Sequence, residues 1–291
     1  MVSEFMLQQT RVETVLPYFE RFLETFPTLE ALAKASLQSV LKAWAGLGYY
    51  ARARHLHAVA KTICNDLGGK IPTTKKDLLS LPGFGPYIAG AVASIAFNQP
   101  VAALDGNVQR ILSRLLDAPG ISQKKMVERF LENLIPPDRP SDFNQALMDL
   151  GALTCIPNQP RCPQCPVKKF CSWHGFGEQK EKRKVKKIRK EVWAVALVEQ
   201  DGRFLLHRKE GKGLLADLWQ FPTVVLKEKG TSTLDEAGEI KNEGKEGFQE
   251  REMIKKALKE NFGLRVKIRG LLPIKEHQFT HLSITMKPFP C

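Results

Sequence analysis

Features that the 291-residue sequence lacks narrow the class of protein to which it belongs. It has no run of about eighteen apolar residues, so no transmembrane helix is expected. The opening residues, MVSEFMLQQT, carry neither a basic segment nor an apolar stretch. No secretion signal is therefore expected, which indicates a soluble intracellular protein, cytoplasmic or, in a bacterium, at the nucleoid. With 43% hydrophobic and 26% charged residues, the composition indicates a globular chain rather than a disordered one.

Acidic residues are scarce relative to basic ones. Lys and Arg number 44 against 31 Asp and Glu, which gives a formal net charge of +13 and places polyanions among the expected partners. More than half of the excess lies in residues 180–190, KEKRKVKKIRK, with eight basic side chains and one acidic. We interpret this segment as part of a basic interdomain linker over residues 172–190.

The hydrophobic period changes across this linker. Before it, apolar residues recur at helical spacing, as at Leu37, Val40, Leu41 and Trp44, and no alternating strand interrupts them. Ser36 is the predicted N-cap of the helix that holds these four residues. Helices are predicted near residues 4–16, 36–45, 51–66, 74–80, 86–97, 106–116, 122–134 and 141–153. Residues 1–171 are therefore expected to be all-α.

The region after the linker predicts a smaller α+β domain over residues 191–291. Asp201-Gly202 is typical of a hairpin turn between two strands. Strands are predicted at Trp193–Val198, Arg203–His207, Leu264–Ile268 and Leu282–Met286, with a helix at residues 248–262 and a loop from Lys227 to Gly247.

Four of the six cysteines fall close together with the spacing C-x6-C-x2-C-x5-C. Without a secretion signal, clustered thiols are more typical of metal ligands than of a disulfide framework. Four thiolates bind either zinc or an iron–sulfur cluster, and the spacing alone leaves both open. The candidate ligands are Cys155, Cys162, Cys165 and Cys171.

A glycine-rich turn, Leu81-Pro82-Gly83-Phe84-Gly85-Pro86-Tyr87, lies between two predicted helices. Its glycines permit a tight turn, and the N–H groups that open the second helix can bind an anion such as a DNA phosphate. The alternative is a plain helix–helix connection.

Two carboxylates, Glu4 and Asp105, are candidates for catalysis. A pair of carboxylates is the usual equipment for cleaving a glycosidic bond, one as the acid and the other to stabilise the sugar cation. The alternatives are structural: Glu4 as a solvated acid in a first helical turn, and Asp105 as an N-cap.

Taken together, these segments resemble the adenine DNA glycosylases of the MutY type, in the helix–hairpin–helix glycosylase superfamily. The resemblance implies an all-α glycosylase domain over residues 1–171, with a 4Fe-4S cluster loop at 155–171 held by the four cysteines. A smaller α+β Nudix-like domain is implied over 191–291. The stretches that carry the resemblance are VSEFMLQQTRVETVLPYFERF, GLGYYARARHLH, LPGFGPYIAGAV, LDGNVQRIL, FNQALMDLGALTC and the cysteine pattern, with GLLADLWQFP and Phe279-Thr280-His281 in the second domain.

The resemblance implies a base-excision-repair enzyme that flips adenine out of duplex DNA and hydrolyses its N-glycosidic bond where adenine faces 8-oxoguanine or guanine. Glu4 matches the general acid, and Asp105 the carboxylate that stabilises or traps the sugar cation. Asn107 matches the support of that carboxylate, and Tyr87 an active-site tyrosine. The implied DNA contacts are Gln9, Thr10, Leu47, Tyr49, Leu81, Gly83 and Gly85, with Phe279, Thr280 and His281 matching the loop that reads 8-oxoguanine.

Two departures from related enzymes refine this expectation. Tyr87 stands where the endonuclease III type carries a Schiff-base lysine, which predicts a monofunctional glycosylase. Residues 256–263, KALKENFG, keep one acid where a Nudix hydrolase needs a glutamate cluster, so neither that activity nor a nucleotide cofactor is expected. The expected partner is double-stranded DNA with the mispair, and the expected state is a monomer with no membrane association.

The resemblance also implies further residues before Glu4 and after residues 287–291, so the chain is expected to be shortened at both ends. The alternative function is therefore a lesion-binding protein of the same family whose catalysis is impaired. A bifunctional pyrimidine-lesion glycosylase is also possible in principle, but Tyr87 and the second domain disfavour it. The cysteine spacing, taken by itself, is also compatible with a zinc-bound interaction module.

Overall fold

The computed structural model describes residues 1–116, 124–173, 188–210, 213–229, 243–279 and 282–291. The chain divides into two compact units, Met1–Gly177 and Glu178–Cys291. Within the described residues, no helix combines the length and apolar character needed to cross a membrane.

The first unit is helical, as the sequence predicts. Its helices are α1 (Val2–Leu7), α2 (Val12–Thr25), α3 (Leu29–Lys34), α4 (Leu37–Ala43), α5 (Ala51–Asp66), α6 (Lys75–Leu78), α7 (Pro86–Phe97), α8 (Gly106–Leu115), α9 (Lys124–Glu132) and α10 (Pro140–Asp149). A π-helical turn, Leu150–Thr154, follows α10 directly, and short 3-10 turns lie at Cys162–Gln164 and Lys168–Phe170.

Short polar side chains fix where several of these helices begin. Thr28, Ser36 and Thr74 each accept a hydrogen bond from the backbone N–H three residues on, which satisfies a donor that the helix itself leaves unpaired. Asp105 does the same for α8. The expected N-cap at Ser36 is confirmed, and Asp105 does occupy an N-cap position, the structural role expected of it if it were not catalytic.

The single helix predicted over residues 4–16 is wrong. Gln9 adopts a left-handed conformation with φ of 57°, so the chain turns between α1 and α2 instead of continuing one helix. Pro17 does not end α2, which runs on to Thr25 because its inner face is packed in the core at Val15 and Phe22. The short helix α3 carried no sufficient periodic signal and was missed.

Buried aromatic and aliphatic side chains hold the helices together. Phe22 packs edge-on against Trp44, with ring centroids 5.9 Å apart, and both side chains are fully buried. A second cluster joins α8 to α9 through Val108, Leu112 and Leu131. This packing fixes the position of α8, and hence of the Asp105 carboxylate at its N-terminus.

The second unit is α+β, as the sequence predicts. Its elements are β1 (Arg189–Leu197), β2 (Glu199–Gln200), β3 (Arg203–Phe204), β4 (His207–Arg208), β5 (Trp219–Gln220), β6 (Thr223–Lys229), α11 (Glu243–Phe262), β7 (Lys275–Gln278) and β8 (Leu282–Pro290). The main sheet has the order β6-β1-β8-β7, with β1 and β8 parallel and the other pairs antiparallel.

Alternation along β1 builds two hydrophobic clusters on opposite faces of this sheet. Ala194 and Ala196 pack with Ile254 and Leu258 of α11, whereas Trp193 packs on the other face with other sheet residues. One face of α11 is buried against the sheet, which explains why apolar residues such as Ile254 and Leu258 recur at helical spacing in its C-terminal half.

The hairpin expected at Asp201-Gly202 is present. Both residues have positive φ, 53° and 74°, the conformation that a two-residue turn between β2 and β3 requires. The strand predicted at Leu264–Ile268 is wrong: this stretch forms no ladder, and its apolar side chains pack as a connector against the α11 face of the sheet. The loop predicted from Lys227 overlaps β6, and most of it lies outside the described residues.

Candidate active site

Tyr87 contacts one carboxylate from a distant part of the chain, Glu4, and its pKa is raised by the charge of a second, Asp105. The Tyr87 hydroxyl, at the start of α7, donates to Oε2 of Glu4 on α1 over 3.3 Å and lies 3.9 Å from Sδ of Met148 on α10. Burial raises the pKa of Tyr87 most, and the negative charges of Glu4 and then Asp105 raise it further. Asp105 therefore lies near enough for its charge to act on the same hydroxyl.

Burial raises the pKa of Glu4 above its ordinary value of 4.5. The α-amino group of Met1 and the hydrogen bond from Tyr87 oppose this shift, but desolvation is the largest effect. A raised pKa keeps more of the carboxyl group in its protonated form at a given pH, and the protonated form is the one that can donate a proton.

Both oxygens of Asp105 are held by its own helix. Oδ1 accepts from the backbone N–H of Val108 over 2.7 Å, and Oδ2 accepts from Nδ2 of Asn107 over 3.0 Å. Asp105 is the N-cap of α8, so the hydrogen bond that caps the helix also orients the carboxylate in the site. The orientation of Asp105 is consequently fixed.

Arg110 connects this carboxylate to the cysteine loop. Its guanidinium donates to Oδ1 of Asn107 over 2.9 Å, to the Gly151 carbonyl over 2.8 Å and to the Cys155 carbonyl over 2.9 Å. Gly151 also has to be small, because a Cβ there would lie 2.7 Å from Cβ of Asn107. The π-helical turn therefore approaches α8 closely behind Asp105.

The four cysteines of the loop line one cavity of about 30 Å³, together with Arg114 and Trp173. Arg114 donates to the carbonyls of Ile156 and Pro157 over 2.8 and 2.6 Å and stacks on the ring of Trp173, 4.6 Å from its centroid. Among the described residues, no group of three or more His, Cys, Asp or Glu side chains is arranged to hold a metal ion. The thiols thus surround a common space without meeting at one point.

The glycine-rich turn packs directly beside this site. Gly83 has φ of 74°, and a Cβ added there would lie 2.5 Å from the side chain of His55, so the turn needs glycine both for its conformation and for its packing. Leu81 and Phe84 are buried under the turn, and Phe84 packs edge-on against Phe5, with centroids 5.6 Å apart. The turn is therefore fixed to the helix that carries Glu4.

The predicted lesion contacts of the first unit lie on two loops, one after α1 and one before α5. Gln9 and Tyr49 are exposed, and both have positive φ, 57° and 47°. Thr10 is half-buried, whereas Leu47 is buried, with 6% of its surface exposed.

In the second unit, Phe279 packs against the sheet and donates its backbone N–H to the Leu282 carbonyl over 2.7 Å. Its ring lies edge-on to His277, with centroids 4.5 Å apart. Thr280 and His281, the other predicted recognition residues, lie outside the described residues.

Sequence reasoning missed the arginines that support this site. Arg52, Arg110 and Arg114 each donate several hydrogen bonds to backbone carbonyls. Arg52 did carry a signal, because it continues the apolar face of α5 formed by Leu56 and Val59, where an unpartnered charge would be costly.

The sequence matches two known families. Residues 2–137 match the HhH-GPD superfamily of base excision DNA repair proteins, and residues 193–291 match the NUDIX domain. The adenine DNA glycosylase of Buchnera aphidicola subsp. Acyrthosiphon pisum is 35% identical, over 81% of this chain and 69% of that protein. This chain belongs to the adenine DNA glycosylase family.

Other adenine DNA glycosylases align over a smaller share of their own length. The proteins of Rattus norvegicus and Homo sapiens are each 38% identical to this chain and are covered over 54% and 50% of their lengths. The chain thus spans about half the length of these curated relatives.

Two solved structures resemble the helical part. A thermostable thymine-DNA glycosylase matches with a TM-score of 0.55 and 30% identity, over 59% of this chain and 81% of that one. A trapped endonuclease III–DNA covalent intermediate matches with a TM-score of 0.54 and 25% identity over the same shares. The expected fold, a helix–hairpin–helix glycosylase unit followed by a Nudix-like one, is confirmed.

Proposed function

We propose that this chain removes adenine from duplex DNA where adenine is mispaired with 8-oxoguanine or guanine. The observation that carries the proposal is the hydrogen bond between Tyr87 and Glu4, at a hydroxyl whose pKa the charge of Asp105 also raises. Two carboxylates in one site are the equipment that glycosidic bond cleavage uses, and family membership points to adenine as the leaving base.

Glu4 supplies the proton in this reaction. Its raised pKa favours the neutral acid, which donates a proton to a ring nitrogen of the adenine. The bond between the base and C1′ then breaks, and its electron pair leaves with the base. The sugar is left as an oxocarbenium-like cation that one neighbouring negative charge can stabilise.

Asp105 supplies that charge. Its two hydrogen bonds, from Asn107 and from the backbone N–H of Val108, fix the orientation of the carboxylate. Water adds to C1′, its proton passes to a carboxylate, and the product is an abasic site. Asn107 supports Asp105, and Tyr87 orients Glu4 through its hydrogen bond.

The adenine has to leave the base stack before Glu4 can reach it. Gln9 and Tyr49, on exposed loop tips, are suited to enter the duplex at the mispair, with Thr10 and Leu47 beside the opposite base. The turn from Leu81 to Gly85 binds phosphate at the start of α7 through the N–H groups of Gly83 and Gly85, because Pro82 has no N–H and those of Leu81 and Phe84 already donate to backbone carbonyls. In the second unit, the loop holding Phe279, Thr280 and His281 reads 8-oxoguanine.

We propose that the four cysteines hold a 4Fe-4S cluster. The four cysteines line one cavity, and their spacing resembles that of the cluster ligands in this family. Bound there, the cluster would cross-link the loop, which presents the exposed cations Arg161, Lys168 and Lys169 to DNA. Arg114 fastens the loop to α8 from the protein side.

Single-turnover release of adenine from a duplex with one A·8-oxoguanine pair tests the proposal. The wild-type protein should release adenine, and Glu4→Gln should lower the rate by at least about a hundredfold, the size of a general-acid effect. Glu13→Gln, which neutralises an exposed acid in the first turn of α2, is the matched control and should leave the rate unchanged. Tight binding with no release by the wild-type protein would show a lesion-binding protein instead.

A further inference from the structure

We infer that Arg52 is a positioning residue that locks the two loops bearing Gln9 and Tyr49 into one preformed wedge. The inference rests on the proposed function, because it assigns how those loops are held ready to enter DNA. It concerns a side chain on α5 whose hydrogen bonds, within the part of the chain that the structure describes, go to backbone carbonyls and to Thr10, and not to Glu4 or Asp105.

The guanidinium of Arg52 joins two segments that are about forty residues apart in sequence. Towards the end of α1 and the loop after it, Nη1 donates to the carbonyls of Phe5, Met6 and Gln8 over 3.1, 2.6 and 2.5 Å. The side chain thereby satisfies carbonyls that the last turn of a helix leaves unpaired.

The second terminal nitrogen of the guanidinium, Nη2, contacts both loops. Nη2 donates to Oγ1 of Thr10 over 3.2 Å, and to the carbonyls of Leu47 and Gly48 over 3.4 and 3.3 Å. Thr10 follows Gln9, and Gly48 precedes Tyr49. One planar group is thus hydrogen-bonded to a direct neighbour of each exposed loop tip.

Arg52 is deeply buried for a charged residue. Only 6% of its surface is exposed, and burial lowers its pKa to about 10. The aromatic faces of Trp44 and Tyr49 lie 5.5 and 5.3 Å from the guanidinium carbon. Its Nε is a buried nitrogen that has no hydrogen-bond partner among the described residues. An apolar side chain would fill the same space but would leave the carbonyls of both loops without this partner, so the buried charge is explained by the loop contacts that it makes.

The loop tips that Arg52 holds are themselves strained. Gln9 and Tyr49 have φ of 57° and 47°, a left-handed conformation that costs non-glycine residues of their kind free energy. Strain of this type persists only where surrounding contacts fix the backbone. Arg52 binds the carbonyls of Gln8 and Gly48, which directly precede the two strained residues, so the same side chain that joins the loops also holds both tips in this conformation.

The test measures wedge insertion separately from cleavage. The probe is a duplex with 2-aminopurine next to an adenine opposite 8-oxoguanine, where the adenine carries a 2′-fluoro sugar that resists cleavage. Unstacking by the wedge raises 2-aminopurine fluorescence. The variants are Arg52→Gln and the conservative Arg52→Lys, with Lys61→Gln as the control that removes one positive charge from an exposed site on α5. Affinity for an undamaged duplex and the unfolding temperature are measured in parallel.

The wild-type protein and Lys61→Gln should give the full fluorescence rise. With Arg52→Gln, the fluorescence rise should be at least about fivefold smaller, because a loop displacement of about 1 Å is enough to lose a docking geometry. The affinity of this variant for undamaged duplex should change by less than about twofold. The fluorescence rise with Arg52→Lys should fall between those of the wild-type protein and Arg52→Gln, because an ammonium lacks the planar fork.

A full rise with either Arg52 variant, no rise with the wild-type protein, or an equal loss of affinity for every duplex would overturn the inference. If Arg52→Gln does not fold, Arg52→Lys decides between these outcomes. Failure of the proposed function has a different signature: the wild-type protein would unstack 2-aminopurine yet release no adenine from the cleavable duplex.

Discussion

Replacing Arg110 by lysine tests whether the cysteine loop supports the carboxylate of Asp105, for which we propose a catalytic role. The guanidinium contacts Asn107, Gly151 and Cys155 together, and Asn107 in turn donates to Asp105. An ammonium at the end of a lysine chain cannot keep all three bonds, because it lacks the planar fork. Asn107 should therefore lose its orientation, and Asp105 one of its two hydrogen bonds.

The size of the effect follows from these contacts. A hydrogen bond to a charged group contributes about 1.5–3 kcal/mol, and water partly replaces it at a half-buried site, so losing two should lower the free energy of unfolding by about 2 kcal/mol. Loosening the bond between Asn107 and Asp105 weakens one hydrogen bond to the carboxylate by about 1 kcal/mol. That corresponds to a rate of adenine release about fivefold lower.

The matched control is Arg114→Lys, one turn further along α8. Arg114 contacts the cysteine loop at Ile156 and Pro157 but, within the described residues, makes no hydrogen bond to Asn107, so its replacement should lower stability without slowing release. Single-turnover rates and thermal unfolding are measured for both variants. If both slow release equally, or if Arg110→Lys releases adenine at the wild-type rate, the proposed support of Asp105 through Arg110 is wrong.

Further predictions follow from the site and the sequence. Because burial raises the pKa of Glu4 and its acid form donates the proton, the single-turnover rate should fall as pH rises through that pKa, and Tyr87→Phe should move the fall to higher pH by removing a bond that lowers the pKa. Borohydride should trap little covalent enzyme–DNA product, because Tyr87 cannot form a Schiff base. Neutralising the basic residues of 182–190 should weaken binding to all duplexes alike and reduce its salt dependence, without changing the preference for 8-oxoguanine over guanine. Cys165→Ser should lower iron and sulfide content and visible absorbance.

Local patterns predicted much of the fold. Helical spacing placed α4 and α5 correctly, with Ser36 as the polar cap of α4, and an apolar run placed the strand β1. The patterns failed where the backbone conformation of one residue ends a helix, as at Gln9, whose left-handed φ divides the predicted first helix. They also failed at Leu264–Ile268, since a short stretch with alternating apolar residues becomes a strand only if the edge of a neighbouring strand is available for pairing.

The candidate site was predicted through family resemblance rather than through local pattern. That Glu4 and Asp105 belong together depends on tertiary packing, which brings α1, α7 and the start of α8 to one place. The role of Arg52, Arg110 and Arg114 was not predicted, because a sequence shows that a residue is charged but not which carbonyl groups surround it in the fold. The catalytic and lesion-contact roles and the domain boundaries at 171 and 191 stay predictions.

The central claim is that Glu4 and Asp105 act on the same glycosidic bond. Single-turnover adenine release from an A·8-oxoguanine duplex by Glu4→Gln, Asp105→Asn and the double variant tests it most directly. We predict that each single variant binds the duplex but releases adenine at least about a hundredfold more slowly, and that the double variant is no slower than the worse single one. Release at the wild-type rate by either single variant would contradict the claim.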